Sequence, residues 1–164
     1  MTSVLMETGA KLRADPTAGR TAPAVTATLE TDRARLSAGA FSWEADLPLS
    51  IGGTNGAPSP TAYLLGALAA CGVVFIKDTL APEFGVTVDG ITAVARCKAD
   101  LAGLIGIEGA LPDLTELEID ITVDTPDPDS KTGPMFDAWQ RRCPIYLALR
   151  NPNAVALHTA AARG

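Results

Sequence analysis

Four stretches of this chain alternate apolar with polar residues, the period-two signature of a strand with one covered and one wet face. In the first, Val25, Ala27 and Leu29 lie opposite Thr26, Thr28 and Glu30, and a polar turn follows at 31–33. The second sets Phe41, Trp43 and Ala45 against Ser42, Glu44 and Asp46; it stops at Pro48 and reads as the hairpin partner of the first. In the third, Ile91, Ala93, Ala95, Cys97, Ala99 and Leu101 oppose Thr92, Val94, Arg96, Lys98 and Asp100. The fourth is the clearest, with Leu117, Ile119, Ile121 and Val123 against Glu116, Glu118, Asp120 and Asp124. A short strand at 154–159 is expected to close the chain.

Between these stretches the period changes. Residues 52–60, Gly-Gly-Thr-Asn-Gly-Ala-Pro-Ser-Pro, form a turn-rich loop that ends as a helix entry, with Ser59 as N-cap and Pro60 at the first helical position. The helix is expected to run to about Leu80 and to stop before Pro82. Leu64, Leu68, Cys71 and Phe75 form one apolar row, Leu65, Ala69, Val73 and Ile76 another, and a helix apolar all round must be buried all round. A second helix is predicted from about Pro134, capped within 129–132, with Phe136, Trp139, Cys143 and Leu147 along one face and a kink at Pro144. Residues 1–23 show no sustained period and read as a flexible arm, which leaves 24–164 as a single domain. Strands, a long helix, two strands, a helix and a strand is the order of an α+β domain. A sheet with one wet face covers only one side of the apolar helix, so a homodimer is expected, the partner completing the core.

Composition matters chiefly through what it excludes. A formal net charge of −6 and a pI near 4.7 leave no basic stripe for nucleic acid. The longest strongly apolar stretch, 62–76, falls short of the roughly 20 residues a bilayer span needs, so no membrane is expected. Residues 1–8 carry no basic flank, apolar core or cleavage site, and a cytoplasmic location is expected. Three cysteines at wide spacing, with no CxxC pair, signal neither a disulfide scaffold nor a zinc site. The only histidine, His158, gives triads and multi-His metal sites nothing to work with and reads as a surface or strand residue. Gly52-Gly53 lacks the spacing of a dinucleotide fingerprint. No metal, haem or flavin cofactor is expected, and chemistry at one or two thiols stays open.

Two groups of segments carry a resemblance. Ala45-Asp46-Leu47-Pro48, Gly52-Gly53-Thr54-Asn55, Ala57-Pro58-Ser59-Pro60 and Tyr63-Leu64-Leu65-Gly66-Ala67-Leu68-Ala69-Ala70-Cys71 form the first; Arg142-Cys143-Pro144-Ile145-Tyr146-Leu147-Ala148-Leu149-Arg150-Asn151-Pro152 is the second. Together they resemble the OsmC/Ohr family. The resemblance implies an intertwined α+β homodimer, with antiparallel sheets wrapped around a long central apolar helix. It also implies a thiol peroxidase acting on organic hydroperoxides, re-reduced by a dithiol of the lipoyl type, with Cys71 at the peroxidatic and Cys143 at the resolving position. The family's activating arginine falls near Arg33, with Arg35 as a rival, and the glutamate that holds it falls on Thr61. Without that carboxylate the arginine is less firmly aimed.

The implied chemistry needs the two thiols to meet, because a thiolate oxidised to sulfenic acid must condense with a second thiol before it over-oxidises. Apolar surroundings favour an alkyl or fatty-acid hydroperoxide over hydrogen peroxide. Free cysteines also serve as core filler, which is the reading for Cys97. Two alternatives stay open: a non-catalytic relative that binds an apolar ligand or senses oxidants, and a permanent Cys71–Cys143 disulfide.

Overall fold

The alternating stretches form two antiparallel sheets in the computed structural model, which describes residues 3–151 and 154–161. The first sheet has the order β1 (Thr26–Glu30), β2 (Arg33–Ala38), β3 (Phe41–Ala45). The sequence pattern pairs the first and third strands directly, whereas β2 lies between them and bonds to both, Thr28 opposite Arg35 and Arg35 opposite Glu44. β2 escapes the pattern because its alanines and arginines give no strong apolar row.

The second sheet pairs β4 (Gly90–Lys98) with β5 (Thr115–Asp124). Ala93 faces Ile121 and Ala95 faces Ile119 on the covered side, as the alternation requires. The ladder slips between Arg96 and Lys98, at Cys97. On the outer face Arg96 bridges Glu118 and Asp120, and Lys98 bridges Glu116, a solvated ion-pair ladder.

Four helices build the layer against this second sheet. Ser59 Oγ accepts the Ala62 N–H and caps α2 (Pro60–Phe75), as the Ser-Pro entry predicts. The expected stop before Pro82 does not occur. A π-helical turn (Ile76–Leu80) hands α2 over to α3 (Ala81–Phe84), and the Ala81 N–H reaches back to the Ile76 carbonyl. Widening the turn accommodates a proline that lacks its own N–H, so the helical path runs on to Gly85, whose φ of 64° ends it. By length and composition alone, Pro60–Phe84 could cross a membrane; it packs against both strands of the second sheet and against the helices that follow. Gly72 makes the close approach possible, since a Cβ there would sit 3.2 Å from both Ala93 Cβ and Ile121 Cδ1.

The second predicted helix is two helices. α5 (Asp129–Arg142) starts before Pro134, and Cys143, at φ −70° and ψ 112°, is extended. Proline disfavours α geometry in the residue before it, so Pro144 ends one helix and opens α6 (Pro144–Arg150) instead of kinking a continuous one. The labels are completed by α1 (Ser3–Ala14) and α4 (Leu101–Leu104). The stretch read as an aperiodic arm therefore contains a helix, and its exposure explains why no apolar row marks it. The strand expected at 154–159 is not present: these residues are irregular and exposed, Val155 at 89% and Leu157 at 83%.

Ile76, Leu80, Met135 and Cys143 are completely buried, and with Leu68, Trp139 and their neighbours they form the core between α2, its continuation, α5 and the second sheet. The expectation of burial all round α2 is not met within one chain. Ala62, Gly66, Ala67, Ala70 and Val74 are exposed and share one side.

Candidate redox site

The break at Cys143 decides the site. Because Pro144 opens α6, Cys143 becomes its N-cap and its Sγ accepts the Tyr146 N–H at 3.4 Å. The same turn presents the Ile145 N–H to Cys71. Cys71, in the middle of α2, is half-buried, whereas Cys143 is wholly buried. Their sulfurs stand 2.8 Å apart across 72 residues of sequence. That separation lies between an S–S bond of about 2.0 Å and an ordinary contact, so only a small movement divides the dithiol from a bond. Trp139, buried one turn before Cys143, donates its indole N–H to the Cys71 carbonyl at 3.2 Å and ties α5 to α2 at this level.

Burial, reinforced by the neighbouring Cys143 thiol, pushes Cys71 up to about 12, and the Ile145 N–H pulls in the opposite direction. Cys71 therefore holds its proton at neutral pH, and a strong nucleophile there would require a cation to be brought near.

Arg33, at the start of β2, makes no hydrogen bond to either sulfur among the described residues. Its guanidinium pairs with Glu44 at 3.2 Å and with Asp32 at 3.5 Å. Arg35 shares Glu44 at 3.8 Å and bonds Ser42. Thus Glu44, on β3, supplies a carboxylate to both candidate arginines, while Thr61 stands in the first turn of α2. Glu44 is itself tethered to α2, its carbonyl accepting the Tyr63 hydroxyl. The loop before α2 is clamped by Asp46, whose carboxylate takes the N–H groups of Leu47, Thr54 and Gly56 and the Thr54 hydroxyl. Those donors hold Asp46 down to about 2. Gly56 leaves room for Arg33, whose Cζ would lie 2.6 Å from a Cβ there.

Arg141, beside Cys143, is exposed, and Arg142 turns to Glu83, which it grips through two bonds, and covers the Phe75 ring. Cys97 lies on β4, apart from the pair, and takes no part. The contributions of Trp139 and of the α6 N–H groups escape sequence reasoning, although Cys143-Pro144 repeats the cap-proline signal of Ser59-Pro60.

Comparison with known proteins agrees with this architecture. The OsmC-like protein of Mycoplasma pneumoniae superposes with a TM-score of 0.66 at 21% identity, over 79% of this chain and 88% of that one. An organic hydroperoxide resistance protein from Elizabethkingia anophelis gives 0.60 at 17% identity, over 80% and 89%. The organic hydroperoxide resistance protein of Bacillus subtilis gives 0.50 at 18% identity, over 79% and 91%. No curated protein sequence matches the chain. At these identities the likeness speaks to the fold, an α+β arrangement of antiparallel sheets and helices. The sequence model described as OsmC-like protein matches residues 53–158, a span that runs from the loop before α2 through both cysteines, and the chain accordingly belongs to the OsmC-like family.

Proposed function

We propose that this protein is a cysteine-dependent peroxidase that reduces organic hydroperoxides, with Cys71 as the attacking and Cys143 as the resolving thiol. The approach of the two sulfurs to 2.8 Å carries this reading. Of the pair, Cys71 is the one with some exposure, which suits the group that must meet substrate.

The balance is simple. The Cys71 thiolate attacks one oxygen of the O–O bond, that bond breaks, and the alkoxide leaves as alcohol after taking a proton. Cys71 is left as sulfenic acid. Cys143 attacks its sulfur, water leaves, and a disulfide remains, two electrons having passed from the two thiols to the hydroperoxide. An external dithiol, of the lipoyl type in this proposal, restores both thiols and becomes a disulfide itself.

A homodimer belongs to the proposal. A second copy would cover the exposed apolar side of α2 and the open faces of the first sheet. In this reading Arg33 activates Cys71 once assembly brings it near, with Glu44 doing the aiming that Thr61 cannot do. A monomeric mass by light scattering at micromolar concentration would remove the dimer.

A second reading, a non-catalytic binder of apolar ligands or a slow oxidant sensor, is favoured by the raised Cys71. Consumption of cumene hydroperoxide with dihydrolipoamide decides between them, using wild type, Cys71→Ser and Cys143→Ser. The peroxidase requires turnover above a protein-free blank, its loss in Cys71→Ser, and over-oxidation of Cys71 in Cys143→Ser. No turnover in the wild type moves the protein to the second reading.

A further inference from the structure

The segment that joins β4 to β5 turns its apolar side chains outward. Residues 99–114 include Leu101, Leu104, Ile105, Ile107 and Leu111, whose exposure runs from 48% at Leu101 to 71% at Leu111. The backbone beneath them is ordered from within: Asp100 caps α4 by accepting the Ala102 N–H at 2.8 Å, the Ile107 N–H reaches the Ala102 carbonyl at 2.9 Å, and the Ala110 N–H reaches that of Ile107 at 3.2 Å. Gly103 lets the two arms of the loop touch, since a Cβ there would stand 2.3 Å from the Leu111 carbonyl carbon. The aliphatic cluster is thus held out by a built framework, and an exposed patch of this kind marks a contact surface.

Charge narrows what that surface can meet. Residues 99–114 carry Asp100, Glu108 and Asp113 and no Lys or Arg. A second copy of the same loop would set these carboxylates against one another, and an anionic lipid surface would be repelled likewise. A fitting partner sets apolar side chains among cations. Among the described residues, Lys11, Arg13, Arg20, Arg141 and Arg150 pair with no carboxylate, and the first three lie within residues 11–20. Of the two carboxylates nearby, Glu7 and Asp15, the second is engaged by Thr17.

α1 occupies this basic segment. Its half-buried row, Leu5, Gly9 and Leu12, includes the side chain that packs on the turn at Pro16–Gly19, Leu12 Cδ2 lying 3.0 Å from where a Gly19 Cβ would stand. A neighbouring row, Met6, Ala10 and Ala14, is exposed and is flanked by Arg13 and Lys11. Helix and loop both remain open in the single chain, so their cover is a contact between copies. Residues 20–25, irregular and exposed, join α1 to β1 and can span about 20 Å when extended.

We infer that the loop between β4 and β5 is the docking surface for α1 of a second copy, the Met6 row seating on the aliphatic cluster and Lys11 and Arg13 meeting Glu108 and Asp113. α1 lies outside residues 53–158, the span that carries the family match, so the contact belongs to this chain's own extension. It rests on the association of two copies proposed above and is independent of the thiol chemistry.

The test uses Ile105→p-benzoylphenylalanine, with equal amounts of ordinary and heavy-nitrogen-labelled protein refolded together, so that a cross-link between peptides of different isotope reports contact between copies. Irradiation should join position 105 to residues 3–14 across isotopes. Lys11→Glu with Arg13→Glu should lower that yield about threefold, and adding Glu108→Lys with Asp113→Lys should restore it by exchanging the charges. Hydrogen exchange gives a second readout: amides of 101–107 should exchange faster in Lys11→Glu with Arg13→Glu, while those of β5 stay as in wild type. Unchanged exchange at 101–107 overturns the docking, as do cross-links to other segments, cross-links to α1 within one isotope only, or none. Light scattering on the same samples separates the two readings: a dimer without the cross-link removes the docking alone, and a monomer removes the dimer with it.

Discussion

The two sheets begin from the same kind of sequence signal and end in different surroundings. In β4 and β5 the inward residues meet α2 and the core, with Ala95, Ile119, Ile121 and Val123 packed against it. In β1 and β3 an equally regular alternation leaves Leu29 79% and Phe41 75% exposed, and Ala45 is the only buried hydrophobic residue of that sheet. Alternation thus states what a strand needs covered, and a single chain need not supply the cover. The exposed side of α2 makes the same point for a helix.

The sharpest way to break this comparison is to truncate one residue from each half. Leu80→Ala, at a position with no exposed surface, is expected to cost about 2–5 kcal/mol in urea unfolding. Leu29→Ala should stay within about 0.5 kcal/mol in dilute solution; a cost comparable with that of Leu80 would mean that the first sheet is covered. Under the proposed assembly, the effect of Leu29→Ala grows with protein concentration.

Asp46 joins the two halves, since its clamp fixes the loop between β3 and α2. Its carboxyl is held at about 2, below the unfolded value of 3.8, so it contributes stability above the unfolded value, and that contribution is lost as pH falls through about 2. An acid titration of wild type against Asp46→Asn is expected to converge at the low end, and parallel curves would count against the clamp. The effect should be smaller than that of Leu80→Ala.

Cys71 gives a local probe. Its alkylation rate should rise only at pH well above the ordinary thiol value of 9.0, and Cys143→Ala should bring the midpoint down by removing one of the two causes of the shift. A midpoint at or below the ordinary value in the assembled protein would show that a cation had reached the sulfur. The smallest change is expected from Arg96→Ala, since exposed ion pairs in a ladder contribute little and are screened by salt.

Much of the core half is legible in the sequence. The alternation at 117–124 and the Ser59-Pro60 helix entry depend on local chemistry, and they appear as predicted, whereas the strand read over 91–101 ends at Lys98 because Asp100 caps α4 and Leu101 begins it. The π-turn at Pro82 and the break at Cys143 were not legible, because whether a proline is absorbed or ends a helix depends on the packing around it. The cysteine pair came from the resemblance, since no periodicity puts residues on different helices within reach. The placement of Glu44 beside Arg33 and Arg35 was hidden for a related reason: it depends on the register of β2 with β3, and β2 had no visible pattern. The segment at 154–159 alternates as a strand does but joins neither sheet among the described residues, so its expected pairing is missing.

The distance along the chain between Cys71 and Cys143 also makes folding a recorder of oxidation. A bond between them would close a loop of 72 residues and remove that freedom from the unfolded chain, worth about 4 kcal/mol of chain entropy. Oxidised and reduced molecules would then differ in melting temperature and in resistance to proteolysis even where their folded forms are nearly superimposable. An oxidant could in that way set how long the protein lasts as well as what it does.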